Sequence, residues 1–143
     1  MLVKSSLELD HFKPWVAFRT KLECSRDPLI EVARYFEHQP KVKFYTDPYD
    51  QTSWPTAWEL ILEKQYCAVN IILGICYTLQ LTERFKHISP TINIAIDKKD
   101  KTVYYLLIIE DKVYGYQIEE WCTLDQLPKS LIMEKMYSMK PLQ

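Results

Sequence analysis

A chain of 143 residues is sized for one domain that buries about two thirds of the surface its unfolded form exposes, so a single globular domain over residues 1–143 is expected. Hydrophobic side chains at 48%, aromatics at 13% and charged residues at 26% suit a packed core. The 18 basic and 19 acidic side chains leave a net charge of −1, which gives no overall field for nucleic acid or anionic lipid, and neither is expected as a partner.

The chain opens with weakly patterned residues in which Leu7 and Leu9 suggest a short strand. The Met-Leu-Val-Lys-Ser-Ser start has no apolar h-region of the kind a signal peptide carries. From Pro14 to Cys24, Trp15, Phe18 and Leu22 fall on one helical face. Asp27-Pro28 is a strong helix start, an N-cap carboxylate followed by proline at the first helical position. Leu29, Val32, Ala33 and Phe36 continue it at helical spacing, and Pro40 closes it. Residues 1–40 are thus read as a helical N-terminal part that either packs on the core or extends towards a partner. Val42 to Phe44 reads as a short strand.

Asp47 to Pro55 is polar, aromatic and rich in turn formers. Ser53 or Thr56 can cap a helix through Trp58, Leu60, Ile61 and Leu62. The next helix, Tyr66 to Leu81, is apolar almost all round through Val69, Ile71, Ile72, Leu73, Ile75, Tyr77 and Leu79. A helix without a polar face is surrounded by other elements. Glu63, Lys64, Glu83 and Arg84 end its uncharged run, and Asn70, Thr78, Gln80 and Thr82 dilute it, so a buried helix is favoured over a membrane span. Ile92, Ile94 and Ile96 alternate with polar or small residues as a half-buried strand does. Asp97 to Lys101 makes a turn, Val103 to Ile109 suits a central strand, and Val113 to Ile118 makes a third. Pro128 then opens a final helix with Leu131, Ile132 and Met136 on its apolar side. The expected fold is α+β: a central apolar helix on a three-stranded antiparallel meander, with N-terminal helices and a C-terminal helix.

Gly74 and Gly115 are the two glycines, and neither sits in a GxGxxG or GxxxxGK pattern, so no nucleotide cofactor is expected by those routes. The four cysteines, Cys24, Cys67, Cys76 and Cys122, form no CxxC pair. Cys67 and Cys76 would lie about 13 Å apart on opposite faces of one helix, too far to bridge. Reduced thiols are the economical reading.

Cys67 is the candidate nucleophile. A cysteine in the first turn of a helix feels the helix dipole, which favours the thiolate. Catalysis also needs a base within hydrogen-bond reach. His87, just after the apolar helix, is the least implausible of the three histidines, while His11 and His38 have no recognisable motif around them. Free cysteine is also among the most buried residue types, and a packed thiol is the favoured reading. No metal is expected, because His11, Cys24, His38 and Cys122 are scattered. Glu119 and Glu120 adjoin, but neighbours on a strand point to opposite faces. Lys98, Lys99 and Lys101 are diluted by Asp97 and Asp100 and read as a solvated turn. Tyr45, Tyr49, Trp54 and Trp58 form an aromatic segment suited to a protein interface, or to stapling a loop on the core, the reading favoured for Trp58.

A cysteine opening a core helix followed by three antiparallel strands resembles the heart of the transglutaminase-like (papain-related) cysteine-enzyme fold. That family's histidine opens the second strand and its aspartate sits on the third. Here those stretches read Thr102-Val103-Tyr104-Tyr105 and Val113-Tyr114-Gly115-Tyr116, which leaves only Cys67 of a triad. Separately, the block Asp47-Pro48-Tyr49-Asp50, Trp54-Pro55-Thr56-Ala57-Trp58-Glu59-Leu60-Ile61, Tyr66-Cys67 and Leu73-Gly74-Ile75-Cys76-Tyr77-Thr78-Leu79 resembles small proteins of tailed, T4-like marine bacteriophages. That likeness implies a virion or assembly role in neck, tail or capsid. The expected function is therefore non-enzymatic contact with other protein subunits, either virion components or copies of itself in an oligomer, in the virion or host cytoplasm. The alternatives are a hydrolase or acyltransferase using Cys67, and an intracellular inhibitor or host-modulating protein that binds a bacterial enzyme.

Overall fold

The structure, a computed structural model, describes residues 6–142, with side chains from residue 10 onward. Among these residues there are four α-helices and one five-stranded antiparallel sheet: α1 (Ser6–Leu22), α2 (Pro28–Glu37), α3 (Ala57–Glu63), α4 (Ala68–Gln80), β1 (Thr91–Asp97), β2 (Val103–Ile109), β3 (Lys112–Gln117), β4 (Glu120–Thr123) and β5 (Leu131–Ser138). The α+β class is as expected. Its details differ in several places.

The Leu7–Leu9 segment is helical, not extended, because α1 starts at Ser6 and carries Pro14 inside it. Proline removes one hydrogen bond and crowds the preceding turn. Burial of Phe12, Trp15 and Leu22 in the core outweighs that penalty. Within this core the Trp15 indole donates to Thr78 Oγ1 at 2.9 Å, and Thr78 donates in turn to the Gly74 carbonyl at 2.6 Å. One buried polar chain thus ties α1 to α4.

Pro28 opens α2, although the Asp27 side chain makes no capping hydrogen bond. Its Phe36 is wholly buried and lies so close to α4 that a Cβ on Gly74 would come within 2.5 Å of the ring. Thr56, rather than Ser53, caps α3, and Glu59 completes a reciprocal capping box that satisfies amides at both positions. Residues Val69 to Gln80 of α4 are all buried, with α2, α3 and β2 packed around them.

The Val42–Phe44 segment is not a strand. Its one ladder contact is a parallel bridge between Lys41 and Tyr66, and Phe44 stands 88% exposed.

The sheet order is β4-β3-β2-β1-β5, so the expected three strands are flanked by two more. The helix expected after Pro128 is instead β5, paired antiparallel with β1. A bulge at Glu134, where Met133 and Lys135 are successive partners of Ala95 and Ile94, breaks the period of two and leaves an apolar spacing that mimics a helix. β1 is also not half-buried. Ile92 joins the core lined by the helices and Ile94 on the same face is wholly buried, while Ala95 joins Leu106, Val113 and Cys122 in a second apolar cluster on the opposite face. Gly115, at φ +111°, allows β3 to run past β2 where a Cβ would meet the Tyr105 carbonyl at 2.2 Å.

Candidate functional site

Two places bear on function, the surroundings of Cys67 and the aromatic segment with the strand it touches. Cys67 is the N-cap of α4, with extended backbone and no capping hydrogen bond from its side chain. The residue is 4% exposed. It stands in the wall of a cavity of about 250 Å³ with Glu37, Lys41, Tyr105, Tyr114 and Gly115. Hence the stretches where the transglutaminase-like family carries histidine and aspartate contribute tyrosines and a glycine to this wall.

Glu37, Lys41 and Tyr114 of the cavity satisfy one another. Tyr114 donates to Glu37 Oε1 at 2.7 Å, and Lys41 donates to the Glu37 carbonyl while its ammonium lies 3.7 Å from Oε2. Burial, reinforced by the Glu37 hydrogen bond, drives the Tyr114 phenol far above its ordinary range. It remains a hydroxyl donor, and the carboxylate it serves already has its partners. A thiol needs a base in reach to become a working nucleophile, and among the described residues no histidine lines this cavity.

His87 is exposed in the segment after α4. The same segment is tied to the end of α1, where Glu83 and Arg84 amides donate to Glu23 and the Arg84 guanidinium donates to the Leu22 and Ser25 carbonyls. Cys67 instead adjoins Glu37 and Lys41 at the far end of α2. The fold therefore does not bring His87 and Cys67 together. His38, at the C-cap of α2, lines a neighbouring cleft with Arg34, Glu119, Glu120 and Trp121. Cys76 and Cys122 are buried elsewhere, their thiols pushed up by burial. Among the described residues, no three His, Cys, Asp or Glu side chains gather as a metal-ligand set. No helix there is long and apolar enough to cross a membrane.

The aromatic segment divides. Trp54 is 9% exposed, edge-on to Tyr137 of β5 at 5.0 Å, with its indole donating to the Asp47 carbonyl; it closes the loop on itself and onto the sheet. Trp58 is 44% exposed and meets Phe12 and Trp15 edge-to-face. Tyr45 and Tyr49 stand out from the surface. Tyr45 donates to Glu63, and that bond is the main reason its pKa is raised. Tyr49 donates to Glu134 of β5 at 3.0 Å; desolvation first and then this bond raise its pKa.

The same contacts lead to residues that the sequence did not single out as a surface. Ile132, Met133 and Met136 of β5 are exposed, Met136 to 64%, on a strand at the edge of the sheet. The available signal was the Leu-Ile-Met run before Tyr137. Read as a helix, it puts Ile132 and Met136 on an apolar side and leaves Met133 unassigned.

Comparison of the chain with protein-family models, curated proteins and solved structures finds no match in any of the three.

Proposed function

We propose that this chain is a non-enzymatic protein that works by contact with other protein subunits, as a component of a tailed-phage virion or of its assembly. The observation that carries this reading is the surface formed by β5 and the loop clasped to it. Met133, Met136, Ile132 and Tyr49 are exposed there beside a strand edge. Unpaired strand edges and exposed methionine and tyrosine are what protein partners use. The phage assignment rests on the likeness of the Asp47–Leu79 block alone, which implies the particle or host cytoplasm as the location.

Cys67 supports the same reading by what surrounds it. The thiol is enclosed, the one carboxylate beside it is engaged by Tyr114, and His87 lies towards the other end of α2. Hydrolysis or acyl transfer through Cys67 would need a proton acceptor that this arrangement does not supply.

The experiment is mass spectrometry of purified particles assembled with the wild-type chain and with a Met136→Glu, Tyr49→Ala double variant. The expected result is a fixed copy number for the wild type and its loss in the variant. Equal incorporation of both, or absence of the wild type from particles and from every assembly intermediate, would overturn the proposal.

A further inference from the structure

The outer edge of β5 has a pattern that matches itself. Residues Ile132 to Met136 are exposed, and β5 pairs in the sheet with β1 alone. At one end the Ser130 carbonyl accepts from Lys98, and at the other Met139 N–H donates to Pro90. Alternation from these two ends turns Ile132, Lys135 and Tyr137 towards β1. Leu131, Met133, Met136 and Ser138 are left with outward backbone groups. The extra residue at the bulge, Glu134, lets both counts hold.

The faces follow the same symmetry. Ile132, Lys135 and Tyr137 stand opposite Ile96, Ile94 and Ile92, and so share the helix-covered face. Glu134 joins them, because its carboxylate reaches Tyr49. Leu131, Met133, Met136 and Ser138 stand opposite Asp97, Ala95, Asn93 and Thr91 on the other face. The strand is thus palindromic about the Glu134–Lys135 peptide in side-chain face and backbone direction, and its central pair is complementary in charge.

The geometry points to a second copy of this chain as the occupant, with β5 pairing antiparallel to β5 about a two-fold axis through that peptide. Leu131 then faces Ser138 of the second copy and Met133 faces Met136 as outward, hydrogen-bonded pairs. Ile132 faces Tyr137, and Glu134 faces Lys135. Each relation occurs twice, as an isologous interface requires. A bulge and a central charge normally repel foreign strands from a sheet edge. A copy bearing the same bulge and the complementary charge at the same place is the strand they admit. The resulting sheet runs through both subunits.

This inference rests on the contact reading and names its partner. It is tested by sedimentation equilibrium of the full chain from micromolar to millimolar concentration. The expected result is a reversible dimer that Lys135→Glu weakens about tenfold, since like charges then face each other twice. The exchange of both charges, Glu134→Lys with Lys135→Glu, restores the dimer and shows that the variants fold. A wild type monomeric throughout, or a Lys135→Glu chain that dimerises as the wild type does, would overturn it. So would a folded double exchange that stays monomeric. A monomer whose incorporation into particles still depends on Met136 sinks self-pairing alone. Incorporation indifferent to Met136 sinks the contact reading itself.

Discussion

Tyr49 donates a hydrogen bond to Glu134 across 85 residues of sequence, and it joins a surface loop to the bulge of an edge strand. The clasp is double, because the Tyr137 hydroxyl donates to the Tyr49 carbonyl at 3.3 Å. Trp54, edge-on to Tyr137, fills the space beneath. The exposed phenol and the exposed methionines are therefore held by one small network and not by independent elements.

Breaking one link should loosen that network without unfolding the protein. Tyr49→Phe removes a hydrogen bond to a carboxylate at an exposed site, worth under about 1 kcal/mol of global stability. Local opening is the more sensitive measure. Faster hydrogen exchange is expected at the amides of Asp50, Ser53 and Trp54, which close the loop turns, with exchange in β2 unchanged. Unchanged exchange in the loop would show that Trp54 and the Tyr137 bond to the Tyr49 carbonyl hold it without the phenol.

Gly74 is expected to be intolerant of even a methyl group. Its Cβ position lies 2.5 to 2.9 Å from three atoms of the Phe36 ring, and Phe36 is wholly buried. Alanine gains helix propensity of about 1 kcal/mol, but overpacking of a filled core costs about 1–3 kcal/mol. Gly74→Ala should therefore lower stability in urea unfolding by up to about 2 kcal/mol. Pairing it with Phe36→Leu should return part of the loss.

The legible parts of the fold were those whose signals are local. Asp27-Pro28 and Thr56 mark helix starts by chemistry confined to a few residues. The alternation Ile92, Ile94, Ile96 needs no knowledge of what it packs on. Where a distant contact decides, sequence reading went astray. Pro14 argues for a helix start, yet α1 runs through it because Trp15 and Leu22 are buried against other helices. The bulge at Glu134 is set by pairing with β1 and by Tyr49, and it disguises β5 as a helix. That error hid Met133 and Met136, and with them the surface on which the functional reading rests. Cys67 was legible as a helix N-terminus, whereas the positions of His87 and Glu37 relative to it are properties of the tertiary fold.

Alkaline pH should destabilise the protein through its buried phenols. Burial raises Tyr66 to about 12 and pushes Tyr77 and Tyr114 up as well, against about 10 in an unfolded chain. A raised phenol pKa means that the folded state holds the proton more tightly. The stability this provides is complete below the unfolded value and is lost as pH rises through the folded one. Urea midpoints are expected to be flat below about pH 9 and to fall between about 10 and 12. The tyrosinate absorbance should rise in two stages, exposed phenols first and buried ones with unfolding. A single early stage would show that Tyr66, Tyr77 and Tyr114 are accessible.

Replacement of Cys67 separates a structural thiol from a nucleophile most directly. The residue has the extended backbone of an N-cap but makes no side-chain cap, and cysteine is not among the preferred capping residues. Serine is, because its hydroxyl accepts from an amide in the first helical turn. Cys67→Ser should therefore keep the fold and shift stability by no more than about 1 kcal/mol, with a gain where the new cap forms. Cys67→Ala, which cannot cap and also leaves space, should be the less stable of the two. In the wild type, exposed Cys24 is expected to take up iodoacetamide readily, while buried Cys67, Cys76 and Cys122 react only with unfolding. Peptide mapping after brief labelling near neutral pH reads this out. Labelling of Cys67 ahead of Cys24 would mean an activated thiol, and would return the cavity it shares with Glu37 and Lys41 to first place as the working site.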